Sequence, residues 1–258
     1  MRDESSSEPN LTSSLSVPSL RPRLFKMRIK RTLLSRAPAS KSNRWPVAVL
    51  LVFMLISALF WRGGAVSDLL SASREQIFSQ HQYWRLLTTI GAHEDLTHFG
   101  SNAFLFLIFG YLLNGYFGAL AFPALSLLFG VIINLVVLYL YPEHSVLIGA
   151  SGVVYWMAGF WITLYGFVER SHSVAIRLLR MMGVTLVLLV PQEFQVHVSY
   201  LAHAVGFALG VLAGSAYFIL SRNEIRKSEE WELVDSFGDP IIFNELSPEE
   251  NGDYRYGI

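Results

Sequence analysis

The sequence contains no cysteine, which removes disulfides, Cys-ligated zinc and thiol catalysis. Charge is also scarce. Only 16% of the 258 residues are Asp, Glu, Lys or Arg, against about 25% in a typical soluble domain. Long stretches carry no charge at all, while 52% of the chain is hydrophobic. A soluble, thiol-dependent enzyme is excluded on these grounds, and a membrane-embedded chain is implied. The zero net charge hides an asymmetry. Residues 1–44 hold ten Lys/Arg against three Asp/Glu, whereas residues 222–258 hold four against ten.

The first 44 residues are rich in Ser, Pro and Arg and poor in large apolar side chains, so a disordered basic arm is expected there. The arm lacks the apolar stretch and small-residue cleavage site of a signal peptide. Its Ser/Arg content is that of a transit peptide, but Asp3, Glu4 and Glu8 argue against one. The acidic segment 222–258 is likewise expected to be a disordered tail, leaving 45–221 as the folded domain.

Charge-free runs mark the expected spans, each needing roughly 20 residues. The first is 45–61, with Trp45 and Trp61 as interfacial anchors. Residues 96–142 hold no Asp, Glu, Lys or Arg, which is room for two spans folded back near 114–123, where Gly115, Gly118 and Pro123 favour a turn. Spans at 144–168, 173–191 and 194–221 complete six, giving an all-α polytopic bundle. In the fifth, Arg177 and Arg180 lie near one end, where they can snorkel. Arg170, Arg177 and Arg180 between spans four and five, Arg222, Arg226 and Lys227 after span six, and the basic arm then share one side. The positive-inside rule makes that side cytoplasmic, with both termini. The loop 62–95 faces outward, and Leu69, Leu70, Ile77, Phe78, Tyr83 and Trp84 suit it to the interface.

Polar residues fall at one depth in this topology. His98 and Asn102 open span two, Ser151 lies near the outer end of span four, and His203 lies about a turn into span six. Taken alone, each has an ordinary reading. A Ser in a membrane helix commonly bonds its own backbone. Asn102 can bond across helices, His98 can sit at the interface, and His203 can fasten helices through a carbonyl. Together they form a nucleophile and base set. Ser151 sits in Gly149-Ala150-Ser151-Gly152, whose small residues leave the hydroxyl accessible, and a helix start offers free N–H groups to an oxyanion. An ionisable His203 inside an apolar span is a functional candidate by default. Gly206 and Gly210 share its helix face, Gly214 continues the spacing, and the three allow close approach of another helix. If that helix is span four, His203 can take the Ser151 proton. Tyr155, four residues after Ser151, can pack on the imidazole or on ordinary helix neighbours. No carboxylate lies inside a span, so a Ser/His dyad without Asp is expected. His98 and Asn102 share a face and can donate to the oxyanion. His93 and His98 are spaced i and i+5, about 140° apart on a helix, which is wrong for a single-helix zinc site. No metal and no cofactor are expected.

These residues resemble the rhomboid family of intramembrane serine proteases. The matching pieces are Gly149-Ala150-Ser151-Gly152, His203 followed by Gly206 and Gly210, His93-x4-His98-x3-Asn102, and Trp84-Arg85, in order over roughly 45–221. The resemblance implies a six-helix core with a water-filled cavity open to the outside. It implies Ser151 as nucleophile and His203 as base, with His98, Asn102 and the Ser151 N–H stabilising the oxyanion. It further implies that Tyr155 stacks on His203, that Trp84 and Arg85 brace the first loop, and that His93 supports it. Substrates would be single-pass membrane proteins within the lipid bilayer, and no nucleic acid partner is expected. The expected location is a bacterial-type cell membrane, crossed several times, with the site opening outward. Two other classes were weighed. A catalytically inactive escort relative would usually lack the Ser or the His. A transporter would need polar groups at several depths and an inverted repeat.

Overall fold

The computed structural model describes residues 25–39, 42–143, 145–189, 199–235 and 238–240. The chain begins with strand β1 (Lys26–Arg31) and a 3-10 turn at Leu33–Ser35. Helix α1 (Arg44–Phe60) follows, then α2 (Gly64–Leu70), β2 (Ala72–Ser73), α3 (Arg74–Phe78) and α4 (Arg85–Gly91). Helix α5 (Leu96–Ala119) is joined through a π turn at Leu120–Leu125 to α6 (Ser126–Leu140). Strand β3 (Val146–Leu147), α7 (Ser151–Val168), α8 (Val174–Leu188), α9 (Tyr200–Lys227) and β4 (Glu230–Val234) complete the order. The architecture is mostly helical, with two small sheets, β1–β4 and the antiparallel β2–β3.

Among the described residues, three segments are long and apolar enough to cross a membrane: Leu96–Leu140, Ser151–Val168 and Tyr200–Lys227. Arg44–Phe60 is also apolar but shorter, at 17 residues. The reversal expected near 114–123 falls at 118–125. Gly118 there takes φ +76°, which a side chain disfavours, and Phe122 is extended. Asn114 donates from Nδ2 to the Phe122 carbonyl at 2.8 Å and Ser126 Oγ to that of Ala121 at 2.9 Å, so the broken backbone is satisfied locally.

The structure differs from the sequence reading at several boundaries. The fourth span does not begin near residue 144. Val146 and Leu147 pair with Ser73 and Ala72, and the helix starts only at Ser151. The loop 62–95 holds three short helices and a strand; α3 is closed by a capping box, in which Ser73 Oγ accepts from Gln76 N at 3.3 Å and Ser73 N donates to Gln76 Oε1 at 2.9 Å. Where the fifth and sixth spans are expected, helices begin at Val174 and Tyr200; the expected limits at 191 and 194 lie outside the described residues.

The ends also differ from the expected arm and tail. The described residues divide into two units, one within 29–231 and a smaller one of 25–28 with 232–235 and 238–240. In the smaller unit Arg28 donates from Nε and Nη2 to Glu232 Oε1 (3.0 and 2.7 Å) and from Nη1 to the Gly238 carbonyl (3.2 Å). In the larger unit Arg36 reaches Glu230 and the Ser228 carbonyl, each at 3.1 Å. Opposite charges from the two ends of the chain therefore meet across these polar strands. Composition alone, read one end at a time, could not register this. Residues 1–24 and 241–258 lie outside the described residues.

Within the larger unit α7 is the central helix. Val153, Val154, Trp156, Met157, Phe160 and Leu164 are buried, so its burial is not confined to one stripe. Its main partner is α9. A Cβ on Gly206 would collide with the Gly152 carbonyl, and one on Gly210 with that of Trp156. The two backbones touch, which only glycine permits. Outer faces keep large apolar side chains exposed, among them Leu51 and Leu55 on α1, Leu179 and Val187 on α8, and Leu212 and Leu220 on α9. Such a surface suits lipid rather than water.

Candidate active site

Ser151 is the first residue of α7, preceded by Ala150 at the N-cap. Helix geometry leaves its N–H without an intrahelical acceptor. The approach to it is fixed at successive residues. Thr89 Oγ1 donates to the Leu147 carbonyl, Gly149 N donates to the Thr89 carbonyl at 2.9 Å, and Ala150 N donates to His93 Nε2 at 3.3 Å. Gly149 has φ +107°, and a Cβ there would lie 3.0 Å from His98 Cε1 and 3.1 Å from Nε2. The glycine thus provides both the turn and the seat for the His98 ring.

His98 and Asn102 occupy the first turns of α5, whose N-cap Asp95 accepts from His98 N at 2.7 Å. Asn102 is buried and donates from Nδ2 to the His98 carbonyl at 2.9 Å. An amide NH2 carries two hydrogens, so one stays available. His93 and His98 meet edge to face with ring centroids 5.1 Å apart.

His203 enters from α9. Its ring lies flat on Tyr155, with centroids 4.0 Å apart and planes inclined by 9°. Tyr200 meets it edge on at 6.0 Å. Tyr155 is in turn held by its hydroxyl, which donates to the Leu189 carbonyl. Both imidazole nitrogens of His203 are buried and have no hydrogen-bond partner among the described residues. The bond from Ser151 Oγ to His203 Nε2 expected from the sequence is therefore not made here. Gly152 packs near Ala202, and Gly206 and Gly210 seat α9 against α7.

Arg85 is buried and donates to Gln82 Oε1 and to the carbonyls of Asp68 and Ser71. Burial lowers its pKa from the usual value, opposed by the nearby Asp68 charge. It ties the loop 62–95 together. Trp84 is 54% exposed, and the Arg85 guanidinium lies over its ring, 6.0 Å from the centroid.

His93 is buried, and its environment assigns its proton. Nε2 accepts from a backbone N–H, while Nδ1 lies 3.1 Å from the Gly91 carbonyl and 3.1 Å from Ser57 Oγ. The hydrogen therefore belongs on Nδ1. Burial, then the neighbouring His98, lowers its pKa to about 4, with the Gly91 carbonyl opposing.

Several residues of this neighbourhood escaped the sequence reading. Ser57 and Trp61 reach His93, Thr89 holds the loop before Ser151, and Asn134 of α6 donates to the Leu86 carbonyl at 2.9 Å. Ser57 and Trp61 lie four apart on one face at the end of α1, a spacing visible in the sequence. Thr89 gave no such signal.

A family model described as the Rhomboid domain matches residues 80–220, more than half of the chain. No curated protein matches the sequence.

Proposed function

The chain belongs to the rhomboid family, and from that membership we propose that it is an intramembrane serine endopeptidase with Ser151 as nucleophile and His203 as base. The observation that carries this reading is the flat stack of Tyr155 on His203. It orients an imidazole that has no hydrogen-bond partner among the described residues, on the helix face that begins with Ser151 one turn earlier. A buried polar ring without a partner is unfavourable, which makes sense where its acceptor is reserved for a proton in transit.

In the proposed reaction Ser151 Oγ attacks the scissile carbonyl carbon as His203 Nε2 removes the hydroxyl proton. The negative oxygen of the tetrahedral intermediate is held by the Ser151 N–H, His98 and the free hydrogen of Asn102. On collapse the C–N bond breaks and His203 returns the proton to the leaving amine. A water then attacks the acyl-enzyme ester, again through His203, and frees Ser151. Tyr155 orients the base. His93 and Arg85 hold the surrounding loop, and the small Gly149 and Gly152 leave the Ser151 hydroxyl open to approach.

The substrates proposed are membrane proteins with a single transmembrane segment. A helical peptide bond is shielded by its own hydrogen bonds and must be exposed before attack. The proposed setting is a bacterial-type cell membrane crossed six times, with both termini cytoplasmic and the site opening outward. The distribution of Arg and Lys supports this orientation.

The test is purified protein in detergent, given a fluorophosphonate probe and a helix-breaking transmembrane substrate. Wild type is expected to label and to cleave, Ser151→Ala to do neither, and His203→Ala to stay folded without turnover. Equal, slow cleavage by wild type and Ser151→Ala would instead support an inactive escort protein.

A further inference from the structure

Ser57 sits in the last turn of α1 and is fully buried among apolar residues. A serine in such a helix ordinarily bonds the carbonyl one turn back. Ser57 Oγ instead leaves its own helix and donates to the Gly91 carbonyl at 2.8 Å. With its hydrogen committed there, the oxygen faces His93 Nδ1 at 3.1 Å as an acceptor. Trp61, four residues on, donates from Nε1 to the His93 carbonyl at 2.8 Å, so α1 holds both the ring and the backbone of this residue.

The three groups close a triangle with one self-consistent assignment. The Gly91 carbonyl can only accept, the Ser57 hydroxyl donates to it, and His93 Nδ1–H donates into the pair. Nε2 is left as a bare acceptor, and what it accepts is the N–H of Ala150. Ala150 is the N-cap of α7 and the residue before Ser151. The peptide joining 150 to 151 carries the Ser151 N–H, so the direction of that donor depends on how Ala150 is held.

We infer that Ser57 is a positioning residue of the catalytic site: with Gly91 it keeps the His93 proton on Nδ1, and through His93 Nε2 it fixes the peptide that presents the nucleophile. This rests on the reading of Ser151 as nucleophile. Removing the hydroxyl leaves Nδ1–H with the Gly91 carbonyl alone and frees that carbonyl from its second donor. The ring then loses one of its two restraints while the packing around it is retained.

The test compares Ser57→Ala, Ser57→Thr, His93→Ala and the double variant Ser57→Ala/His93→Ala. The readouts are kcat and KM on a transmembrane model substrate, normalised to the fraction labelled by a fluorophosphonate probe, with melting temperature recorded alongside. Ser57→Ala is expected to lower kcat by about tenfold, the effect of one hydrogen bond, with KM changed less than about twofold. Ser57→Thr, which restores the hydroxyl, is expected to recover most of the loss. In the His93→Ala background Ser57→Ala is expected to have no further effect, because its route to the site is gone. Should Ser57→Ala not fold, Ser57→Cys keeps the volume with a weaker donor and is expected to fall below wild type. Wild-type kcat per labelled site in whichever of these two variants folds, or losses that multiply in the double variant, overturns the relay. Wild type that neither labels nor cleaves overturns the catalytic reading, and the relay with it. Wild type that labels while Ser57→Ala loses only melting temperature overturns the relay alone.

Discussion

Asn102 spends one amide hydrogen on the His98 carbonyl, and that bond fixes the direction of the other. Its role in the proposed oxyanion site is therefore separable from folding. Asn102→Ala is expected to lower kcat by at most about 10²-fold, the scale of a single oxyanion donor, while probe labelling persists at a reduced rate. Steady-state kinetics with a matched melting curve would check this, and unchanged kcat would remove Asn102 from the site. His93 makes a second prediction, about acid. Its pKa falls from 6.5 to about 4 in the folded chain, so the unfolded chain binds the proton more readily between those values. The corresponding stability is complete above pH 6.5, declines as pH falls toward 4 and is absent below it. Its size is on the order of 3 kcal/mol. Melting temperatures of wild type and His93→Asn between pH 4 and 7 would show a slope in wild type that the variant lacks.

Among the elements, α7 and α9 were the most legible from sequence, and for a clear reason. Gly206, Gly210 and Gly214 repeat every four residues, and a repeat of that period has one structural use in an apolar helix. The structure answers with backbone contact at the Gly152 and Trp156 carbonyls. Gly210→Ala is accordingly expected to destabilise by about 3 kcal/mol or more, beyond usual overpacking because the obstacle is backbone. Gly183→Ala on α8, where a Cβ would meet nothing within 4 Å, is expected to be neutral or to stabilise by up to about 1 kcal/mol. Thermal unfolding in one detergent would compare the pair. The short elements were not legible. β2 and β3 are two residues each and pair with one another, while Thr89 of α4 donates to the Leu147 carbonyl. No local pattern announces a partner that far away in sequence. Ser57 was missed because one serine in an apolar helix has a common and trivial explanation, and only the position of Gly91 shows that it does not apply.

Across the whole molecule, the distribution of charge was legible but its use was not. Arg28 meets Glu232 in one unit and Arg36 meets Glu230 in the other, so part of each supposedly free end is ordered by the opposite end. Glu169, expected at a span edge, is buried at the end of α7. It accepts from Thr32 Oγ1 at 3.0 Å and from Ser171 Oγ, with His172 Nδ1 3.5 Å away. Glu169→Ala is expected to cost about 1–3 kcal/mol by removing the charged acceptor of the Thr32 and Ser171 hydroxyls, Thr32 keeping only its 3.3 Å contact with Ser35 Oγ. Arg36→Ala, at an exposed pair, is expected to cost under about 1 kcal/mol. Melting temperatures in detergent should separate the two by several degrees; equal shifts would mean that Glu169 is not the stronger anchor. The backbone seam between α7 and α9 has a last consequence. Ser151 and His203 are carried by one stiff two-rod block. If other parts of the bundle separate to admit a polypeptide, the pair proposed to react would travel as a single piece, with no need to realign at each proposed turnover.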